Sequence, residues 1–543
     1  MKYLEKVFLI FVVFLAGCFE KEENTLRIGS SVGVSTFDPH LATTLTEGMV
    51  ISSLFEGLLI PHPQTLEPIP GVAESYIVSR DKKEYTFFLR SDAKWSNGDL
   101  VSAEDFVYAV RRGLSSSLGS PWAELFFVLK NAKRYYKNEI VNFSEVGIEA
   151  LDAKTVHCTL ETPSDHFLSL VTHWAWSPIN VRTIERFGDP CERNNLGLNS
   201  RNIVGNGAYT LKFFNIGDKI ILQKNPKYWG RRDVAIQNVH IITDINPDTE
   251  ENMFVAQQLD ITDNVPMDKS DRYRKTGQLK SSNSLGSTFY WFNCKRQPFD
   301  DVRVRKALNL AIDREAIGKL RNRGAGFEAY ALVPPGTMNY DSSSFFEYDK
   351  EQAQQLLAEA GYPNGEGFPE ITILYNINDN WKMISEAVQE MWRVNLHIHV
   401  KLQSTEWGVF LNERRGHCFD ICRGGWIGDY NDAMTFLNLC LSSDNNNHSQ
   451  WANDIYDTMV LSAGKAEDSF ERKKILNKAE ALMMDEVPII PLYFDSIYHL
   501  VSDRVRGWYS NILDWHLLKF IRFAAVSKLN QNVVALANVK FYC

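Results

Sequence analysis

The chain has 543 residues, 44% of them hydrophobic and 23% charged, and its formal net charge is -9. This composition is typical of a folded globular protein and excludes disorder as the main state. The acidic balance argues against nucleic acid as the main partner. A chain of this length exceeds what one hydrophobic core organises, so about two to four domains are expected.

The N-terminus reads as a targeting segment. A short basic stretch precedes the apolar run 7–15, which is too short to span a bilayer as a helix. The run ends in Leu15-Ala-Gly-Cys18, which resembles a bacterial lipobox, the signal at which a peptidase cuts before a lipid-modified cysteine. The sequence therefore predicts a signal peptide over 1–17, lipidation of Cys18 and a polar tether over 18–25. The alternative is a plain secretory signal with a chance cysteine.

The rest of the chain alternates between strand and helix patterns, which indicates an α/β fold. Ser102 and Asp105 form a capping box at the start of one helix. The predicted strands are 26–30, 84–89, 210–214, 219–224, 239–242, 371–375 and 398–402. The predicted helices are 47–59, the one opening at Ser102, 301–320, 349–360, 380–393 and 467–486. The last residues, 524–543, carry no amphipathic pattern and receive no role.

No enzyme motif is supported. Gly29-Ser-Ser-Val-Gly33 fits the G-x-S-x-G pattern, but a nucleophile elbow needs a helix directly after it, and Pro39 follows here instead. No phosphate-binding loop or H-E-x-x-H pattern is present. We therefore expect neither an enzyme nor a cofactor.

Eight cysteines are present. If Cys18 carries lipid, seven remain, so at least one thiol should be free in a monomer. Cys418 and Cys422 are predicted to lie in one strand, about 13 Å apart and too far to bridge. Soft ligands also occur nearby, but strand alternation would scatter them, so no metal site is expected. They are His417, Cys418, Cys422, Cys440 and His448.

The most informative segment is 419–438. It begins as a strand-like run and opens into a Gly-rich turn that holds Trp426, Asp429 and Tyr430. A carboxylate among aromatics and glycines is poorly hydrated and costs free energy unless a cation or N–H donors satisfy it. Asp429 is therefore predicted to bind a ligand ammonium. The alternative is a solvated carboxylate on an adhesin or structural lipoprotein.

Further aromatic and basic residues are candidates for the same site. Trp407, Trp426 and Trp122 lie beside Gly or charged residues, although any of them could be ordinary core. Arg414 and Arg423 are either solvated charges or a bidentate clamp for a carboxylate.

Several stretches together resemble the family 5 extracellular solute-binding proteins, and among them most closely the oligopeptide binders of bacterial ATP-driven importers. The similarity runs from about Leu26 to Phe523. The matching stretches are Phe37-Asp-Pro-His40, Leu54-Phe-Glu-Gly-Leu58, Gly71-Val-Ala-Glu-Ser75, Leu89-Arg-Ser-Asp-Ala-Lys-Trp-Ser-Asn-Gly98, Ala103-Glu-Asp-Phe106, Gly205-Asn-Gly-Ala-Tyr209, Phe299-Asp-Asp-Val-Arg-Val-Arg-Lys-Ala-Leu308 and Gly424-Gly-Trp-Ile-Gly-Asp-Tyr-Asn431.

The resemblance implies the type II periplasmic-binding-protein fold, with two α/β lobes, a hinge and an extra domain. Lobe I would comprise 26–55, 183–285 and 497–523. The extra domain would be 56–182 and lobe II 286–496. A monomer is expected, with short peptides, a membrane permease and its ATPase as partners and no nucleic acid.

The resemblance also implies residue roles. Asp429 would hold the peptide α-ammonium, and the peptide main chain would pair with strand edges on both lobes. Trp407 and Trp426 match pocket aromatics, and Trp122 replaces a family Tyr. Arg414 and Arg423 match arginines that meet acidic side chains or the peptide C-terminus.

Four positions depart from the family pattern. Gly286 and Ile427 stand where many oligopeptide binders have a disulfide. Trp381 replaces a His that meets the peptide C-terminus, and Thr43 replaces a Glu near the ligand. These changes leave peptide length and charge preference open. Relatives on the same scaffold bind muropeptides, nickel complexes or haem, so these ligands remain alternatives.

Overall fold

The computed structural model describes residues 24–525 except 165, 267–268, 321–326, 429, 465 and 467. The strands within these residues are β1 (Thr25–Gly29), β2 (Leu59–Pro61), β3 (Pro68–Pro70), β4 (Ala73–Val78), β5 (Glu84–Leu89), β6 (Ile148–Asp152), β7 (Thr155–Thr159), β8 (Tyr209–Asn215), β9 (Lys219–Lys224), β10 (Asn238–Ile242), β11 (Leu279–Phe292), β12 (Phe327–Glu328), β13 (Ile371–Asn376), β14 (Val400–Thr405), β15 (Ile421–Ile427), β16 (Ile489–Leu500), β17 (Val505–Arg506) and β18 (Arg522–Phe523).

The α-helices within the same residues are Leu45–Leu54, Ala103–Gly113, Ala132–Tyr136, Phe167–Val171, Val181–Arg186, Pro247–Val255, Ser270–Thr276, Val302–Leu310, Arg314–Leu320, Lys350–Glu359, Asp379–Leu396, Trp407–Arg415, Met434–Leu437, Asp454–Ala463 and Ser469–Glu486. None of the described helices is long and apolar enough to cross a membrane. The mixed composition confirms the predicted α/β class.

Two four-stranded sheets share the first hydrophobic core. One has the order β1-β10-β9-β8, with β1 parallel to β10, and the other is the antiparallel sheet β4-β5-β7-β6. Ile28 and Val239 from the first sheet and Phe87 and Val156 from the second belong to one buried cluster. The residues before about 260 therefore pack as one continuous body.

A six-stranded mixed sheet, with the order β12-β16-β11-β15-β13-β14, organises the second body. Alternate residues of β11 point to opposite faces of the sheet. Tyr290 and Phe292 enter one buried cluster, and Phe289 and Trp291 enter another. Because both faces are covered, β11 reads as a continuous apolar run rather than an alternating one.

The long strands β11 and β16 connect the two bodies. They form an antiparallel ladder from Leu279↔Leu500 to Trp291↔Ile489, with irregularities along it. At the Leu279 end they pack with Phe254, beside Ile261, which bridges to both β1 and Val501. A pair of strands that crosses between two bodies is suited to act as a hinge.

Three sequence predictions were wrong in detail. The helix predicted at 47–59 ends at Leu54, because the Glu56 backbone is hydrogen-bonded to the Asn206 side chain instead of to the helix. The Asn206 amide oxygen accepts from the Glu56 N–H at 3.0 Å, and its NH₂ donates to the Glu56 carbonyl at 2.9 Å. The helix predicted at 301–320 is two helices, since the Asp313 carboxylate accepts from Ala316 N–H and caps a new start. Cys418 lies before β15 rather than within it.

Candidate functional site

Strand β15 carries the first part of the Gly-Trp motif and has an open edge. It pairs with β11 along its whole length, from Phe292↔Ile421 to Gly286↔Ile427. Its parallel ladder with β13 stops at Leu374↔Cys422. Within the described residues, no strand therefore pairs with the β13-facing edge of 423–427. Such an edge presents backbone donors and acceptors to an added strand.

Two glycines let β15 pack closely against β11. A Cβ at Gly424 would lie 2.6 Å from the Phe289 ring, and one at Gly428 would lie 2.6 Å from Leu285 Cδ2. Neither neighbour is the end of a flexible chain in open space, so a larger residue would push the strands apart. The Gly428 N–H also donates to the Leu285 carbonyl at 2.7 Å. The residues just before position 429 are therefore fixed by β11.

Asp429 itself lies outside the described residues, whereas its neighbours Trp426, Gly428 and Tyr430 are described. Trp426 Nε1–H donates to Thr435 Oγ1 at 3.1 Å. The Tyr430 ring stacks on His166, with centroids 5.1 Å apart and planes 10° apart. His166 follows the antiparallel sheet of the first body, whereas Tyr430 follows β15 of the second. The motif therefore lies at the contact between the two bodies.

A cavity opens beside Tyr430 and takes walls from both bodies. Asn431 and Met338 line it from the second body, and the first body contributes Leu125, Ser169, Leu170, Thr172, His173, Leu66 and Pro61, with Leu513 and Trp515 from the C-terminal segment. Burial lowers the pKa of His173 to about 3, so its ring is neutral. Its Nδ1 accepts from Ala175 N–H, which leaves the proton on Nε2.

Trp122 lies behind this cavity wall. Its Nε1–H donates to the Ala42 carbonyl at 2.6 Å, and its ring packs 4.6 Å from the His173 ring. It also meets Trp174 edge-on at 5.5 Å. Trp122 thus supports the wall through His173, and it is not among the residues that line the cavity.

Trp407, Arg414 and Arg423 form a second group around Phe410. The Arg423 guanidinium lies 4.9 Å from the Trp407 ring, 5.1 Å from Phe410 and 5.4 Å from Trp381. Arg414 lies 5.3 Å from the Phe410 ring, which stacks on Trp407. Aromatic faces attract cations, so the rings hold both guanidinium groups in place.

Neither arginine of this pair has an acidic partner among the described residues. The Nε atoms of Arg414 and Arg423 are shielded from solvent and make no hydrogen bond there. Burial, reinforced by the positive charge of Arg414, lowers the pKa of Arg423 to about 10. Burial also lowers the pKa of Arg414. Two poorly hydrated cations side by side favour an anion as ligand.

The segment after the motif is held by a buried ion pair that the sequence did not reveal. Arg472 donates to both oxygens of Asp432, at 2.7 and 2.8 Å, and each side chain is 7% exposed. The Asn431 side chain accepts from Met338 N–H at 2.9 Å. Asp432 follows the quoted motif directly, but nothing in the pattern marked Arg472 as its partner.

The two positions at which the sequence resemblance implies a disulfide in oligopeptide binders face each other here. Gly286 and Ile427 are directly paired across β11 and β15. This register is one in which a cross-strand bridge would close. Ile427 is 72% exposed instead, and it leaves an apolar side chain at the open edge of β15.

Comparisons with known proteins agree on one family. The model of the bacterial extracellular solute-binding proteins, family 5, matches residues 67–448. The periplasmic oligopeptide-binding protein OppA of Salmonella typhimurium is 33% identical over 507 residues, covering 91% of each chain. The periplasmic murein peptide-binding protein MppA of Escherichia coli is 32% identical over 486 residues, covering 87% of this chain and 88% of that protein.

A solved structure gives the same result. The complex of Haemophilus influenzae OppA with RPPGFSPFR superposes with a TM-score of 0.74 at 32% identity, covering 93% of this chain and 99% of the other. Agreement over nearly the whole of both chains means that the likeness covers the complete architecture rather than one domain.

Proposed function

Since the chain belongs to the bacterial extracellular solute-binding proteins of family 5, we propose that it is the substrate-binding protein of an ATP-driven importer of short peptides. Members of this family are binding proteins and not enzymes. The observation that carries the proposal is the open edge of β15 at 423–427, next to the Tyr430–His166 contact between the two bodies. A peptide added to this edge would use its main chain, which all sequences share.

In this proposal Asp429 receives the peptide α-ammonium. The support for this role comes from the two neighbouring residues. The Gly428 N–H donates to the Leu285 carbonyl of β11, and the Tyr430 ring stacks on His166 of the first body. In this proposal, the bound ligand and the closed protein shield the ion pair between the amine and Asp429 from water. Losing one partner of such a buried pair costs about 3–5 kcal/mol, roughly a 150- to 5,000-fold change in affinity.

Arg414 and Arg423 receive the carboxylate end of the peptide or an acidic side chain. The Trp407 ring packs against the Arg423 guanidinium. The side-chain pockets are shaped by Trp426 and Tyr430, and by Trp122 through its contact with His173. The lack of an acidic partner for either arginine among the described residues supports this role.

The amine role is tested with a free-amine tripeptide and its N-acetylated form. In Asp429→Ala, we expect the free-amine peptide to lose roughly 150-fold or more in affinity by titration calorimetry, while the acetylated peptide changes little. Asp454→Ala, an exposed carboxylate on the same lobe, is the matched control and leaves both affinities unchanged. Equal affinity of the wild type for both peptides would refute the amine role.

We propose the same domain division as the sequence predicted. Lobe I comprises 26–55, 183–285 and 497–523, the extra domain 56–182 and lobe II 286–496. The sheet β4-β5-β7-β6 lies within 56–182, and β8, β9 and β10 lie within 183–285, which supports this division. The strands β11 and β16 cross its boundaries at 285/286 and 496/497 as the connection between the bodies. Because 56–182 shares a hydrophobic core with lobe I, the test is where limited proteolysis begins. First cuts near residue 183 agree with the division, and preferred cleavage inside 56–182 contradicts it.

We also propose that the protein is exported and tethered outside the cytoplasmic membrane by lipid on Cys18, as a monomer that delivers peptides to a permease and its ATPase. Residues 1–23 lie outside the described part of the chain. In detergent phase separation, the wild type should enter the detergent phase and Cys18→Ser the aqueous phase. Equal partitioning would exclude the lipid.

A murein peptide is the second candidate ligand, because the chain is about as similar to MppA as to OppA. Mass spectrometry of ligand released by denaturing the purified protein separates the candidates. A ladder of short peptides supports the main proposal, and one mass containing muramyl or diaminopimelyl groups supports the second. A porphyrin or nickel-complex mass overturns both.

A further inference from the structure

Two histidines and one carboxylate converge where β16 returns to the first body. His499 Nε2 lies 2.7 Å from Asp514 Oδ1, and His516 Nε2 lies 2.8 Å from the same oxygen. The ligand atoms of the three residues all lie within 4.8 Å of one another. The histidines are 5% and 8% exposed, so the group is largely shielded from bulk water.

The surroundings fix both imidazole rings. His499 Nδ1 lies 2.8 Å from the Thr262 carbonyl, and the proton on that nitrogen is therefore donated to it. A metal-ligating histidine almost always has such a second hydrogen bond, which sets the tautomer and orients the other nitrogen. The His516 ring stacks on Trp508, with centroids 3.6 Å apart and planes 16° apart. Neither ring needs to be ordered by an incoming ligand.

The three residues also line an existing cavity with further oxygen donors. Its wall includes Asp263, Ser30 and Thr46 in addition to His499, Asp514 and His516. Asp263 is a second carboxylate beside the group, so the local charge favours a cation. The cavity beside the three residues has room for a water molecule.

We propose that His499, Asp514 and His516 bind one divalent transition-metal ion of the zinc class. Two imidazole nitrogens and one carboxylate oxygen suit this class, and water would complete the coordination. At Zn–N distances of about 2.0–2.1 Å, tetrahedral ligand atoms lie about 3.3 Å apart. Each Nε2–Oδ1 distance would therefore lengthen by roughly half an ångström, and the two Nε2 atoms, now within 4.8 Å of each other, would adopt the same spacing. The ion would join the crossing strand β16 to the segment 514–516.

This group of residues differs from the possible metal ligands that the sequence suggested. There the candidates were His417, His448 and nearby cysteines, and no metal site was expected. In the described structure the rings of His417 and His448 are 6.4 Å apart, and neither residue belongs to a group with converging ligand atoms. The proposed ligands are spread over eighteen positions, His499 to His516, with no recognisable motif spacing.

The test is titration of chelator-treated, purified full-length protein with Zn²⁺ alone in the calorimeter. We expect one saturable site, weakened by roughly 10- to 100-fold or more in His516→Gln and in Asp514→Asn. His399→Gln, an exposed histidine on lobe II, is the matched control and keeps the wild-type affinity. Circular dichroism shows whether each variant is folded, and His499→Gln replaces any variant that is not.

Co²⁺ provides a second readout. Ligation by His499, Asp514 and His516 predicts visible d–d bands without a thiolate charge-transfer band. A thiolate band would show that cysteines bind the ion and would overturn the proposal. So would the absence of a saturable site, or affinities unchanged in the folded variants.

Discussion

Arg423 offers the sharpest test of how the peptide site discriminates charge. Its guanidinium lies 4.9–5.4 Å from the rings of Trp407, Phe410 and Trp381, beside a second cation, Arg414. Met has a similar length and packs against the same rings, but it carries no charge. Arg423→Met therefore removes the cation with little change in shape.

The size of the effect follows from the missing anion. A hydrogen bond to a charged group contributes about 1.5–3 kcal/mol, which corresponds to roughly 12- to 150-fold in affinity. We expect this loss for a peptide whose carboxylate meets Arg423. Because burial and Arg414 already disfavour the charge, the variant should be no less stable than the wild type.

The assay uses pairs of peptides that are identical except that one has Glu and the other Gln at a single position. One such pair is made for each position of the peptide. Titration calorimetry should show selective loss of the Glu peptide at one position or at the C-terminus. Arg415→Met is the matched control and changes neither affinity, because Arg415 is an exposed arginine that directly follows Arg414 in the helix Trp407–Arg415. An equal loss for Glu and Gln peptides, or no loss anywhere, would refute the anion role of Arg423.

Two further predictions concern buried charges in the second body. Arg472→Met leaves Asp432 without its bidentate partner and should lower the free energy of unfolding by about 3–5 kcal/mol. The change is measured from the midpoint of denaturant unfolding. A decrease below about 1 kcal/mol would contradict the importance of this ion pair. Burial raises the pKa of Glu480 to about 7, so the stability that its neutral form contributes is complete below about pH 4.5 and is lost as pH rises to about 7. The free energy of unfolding should fall by an amount on the order of 3 kcal/mol over this pH range. Glu480→Gln should abolish this pH dependence. If the pH profile of the variant equals that of the wild type, Glu480 is not its source.

Local patterns predicted the elements that are held by their own residues. The helices Lys350–Glu359 and Ser469–Glu486 lie within three residues of their expected limits, since caps and periodicity define them. The boundary at Leu54 was missed because Asn206, about 150 positions away, holds Glu56 in an extended conformation. No local pattern carries that information.

The same distinction separates the parts of the site. Glycines near Asp429 marked a place where backbone and side chains pack closely, and the structure gives the reason at Gly424 and Gly428. The partner of Asp432 lies 40 positions along the chain, and the proposed metal ligands come together only when β16 reaches the first body. Contacts of this kind depend on tertiary structure, so sequence spacing could not reveal them.

Asp432 and Arg423 differ in whether their charge is compensated within the fold, and this difference suggests which of them is available to a ligand. Both belong to the segment that contains the Gly-Trp motif, and both are removed from bulk water. Asp432 is neutralised within the fold by two hydrogen bonds from Arg472, so its charge is compensated and stabilises the loop. Arg423 is only partly buried, but it bears a desolvation cost without an acidic partner among the described residues. An uncompensated cost of this kind is typical of a site where ligand binding relieves it, and we therefore propose that the anion end of the peptide meets Arg423.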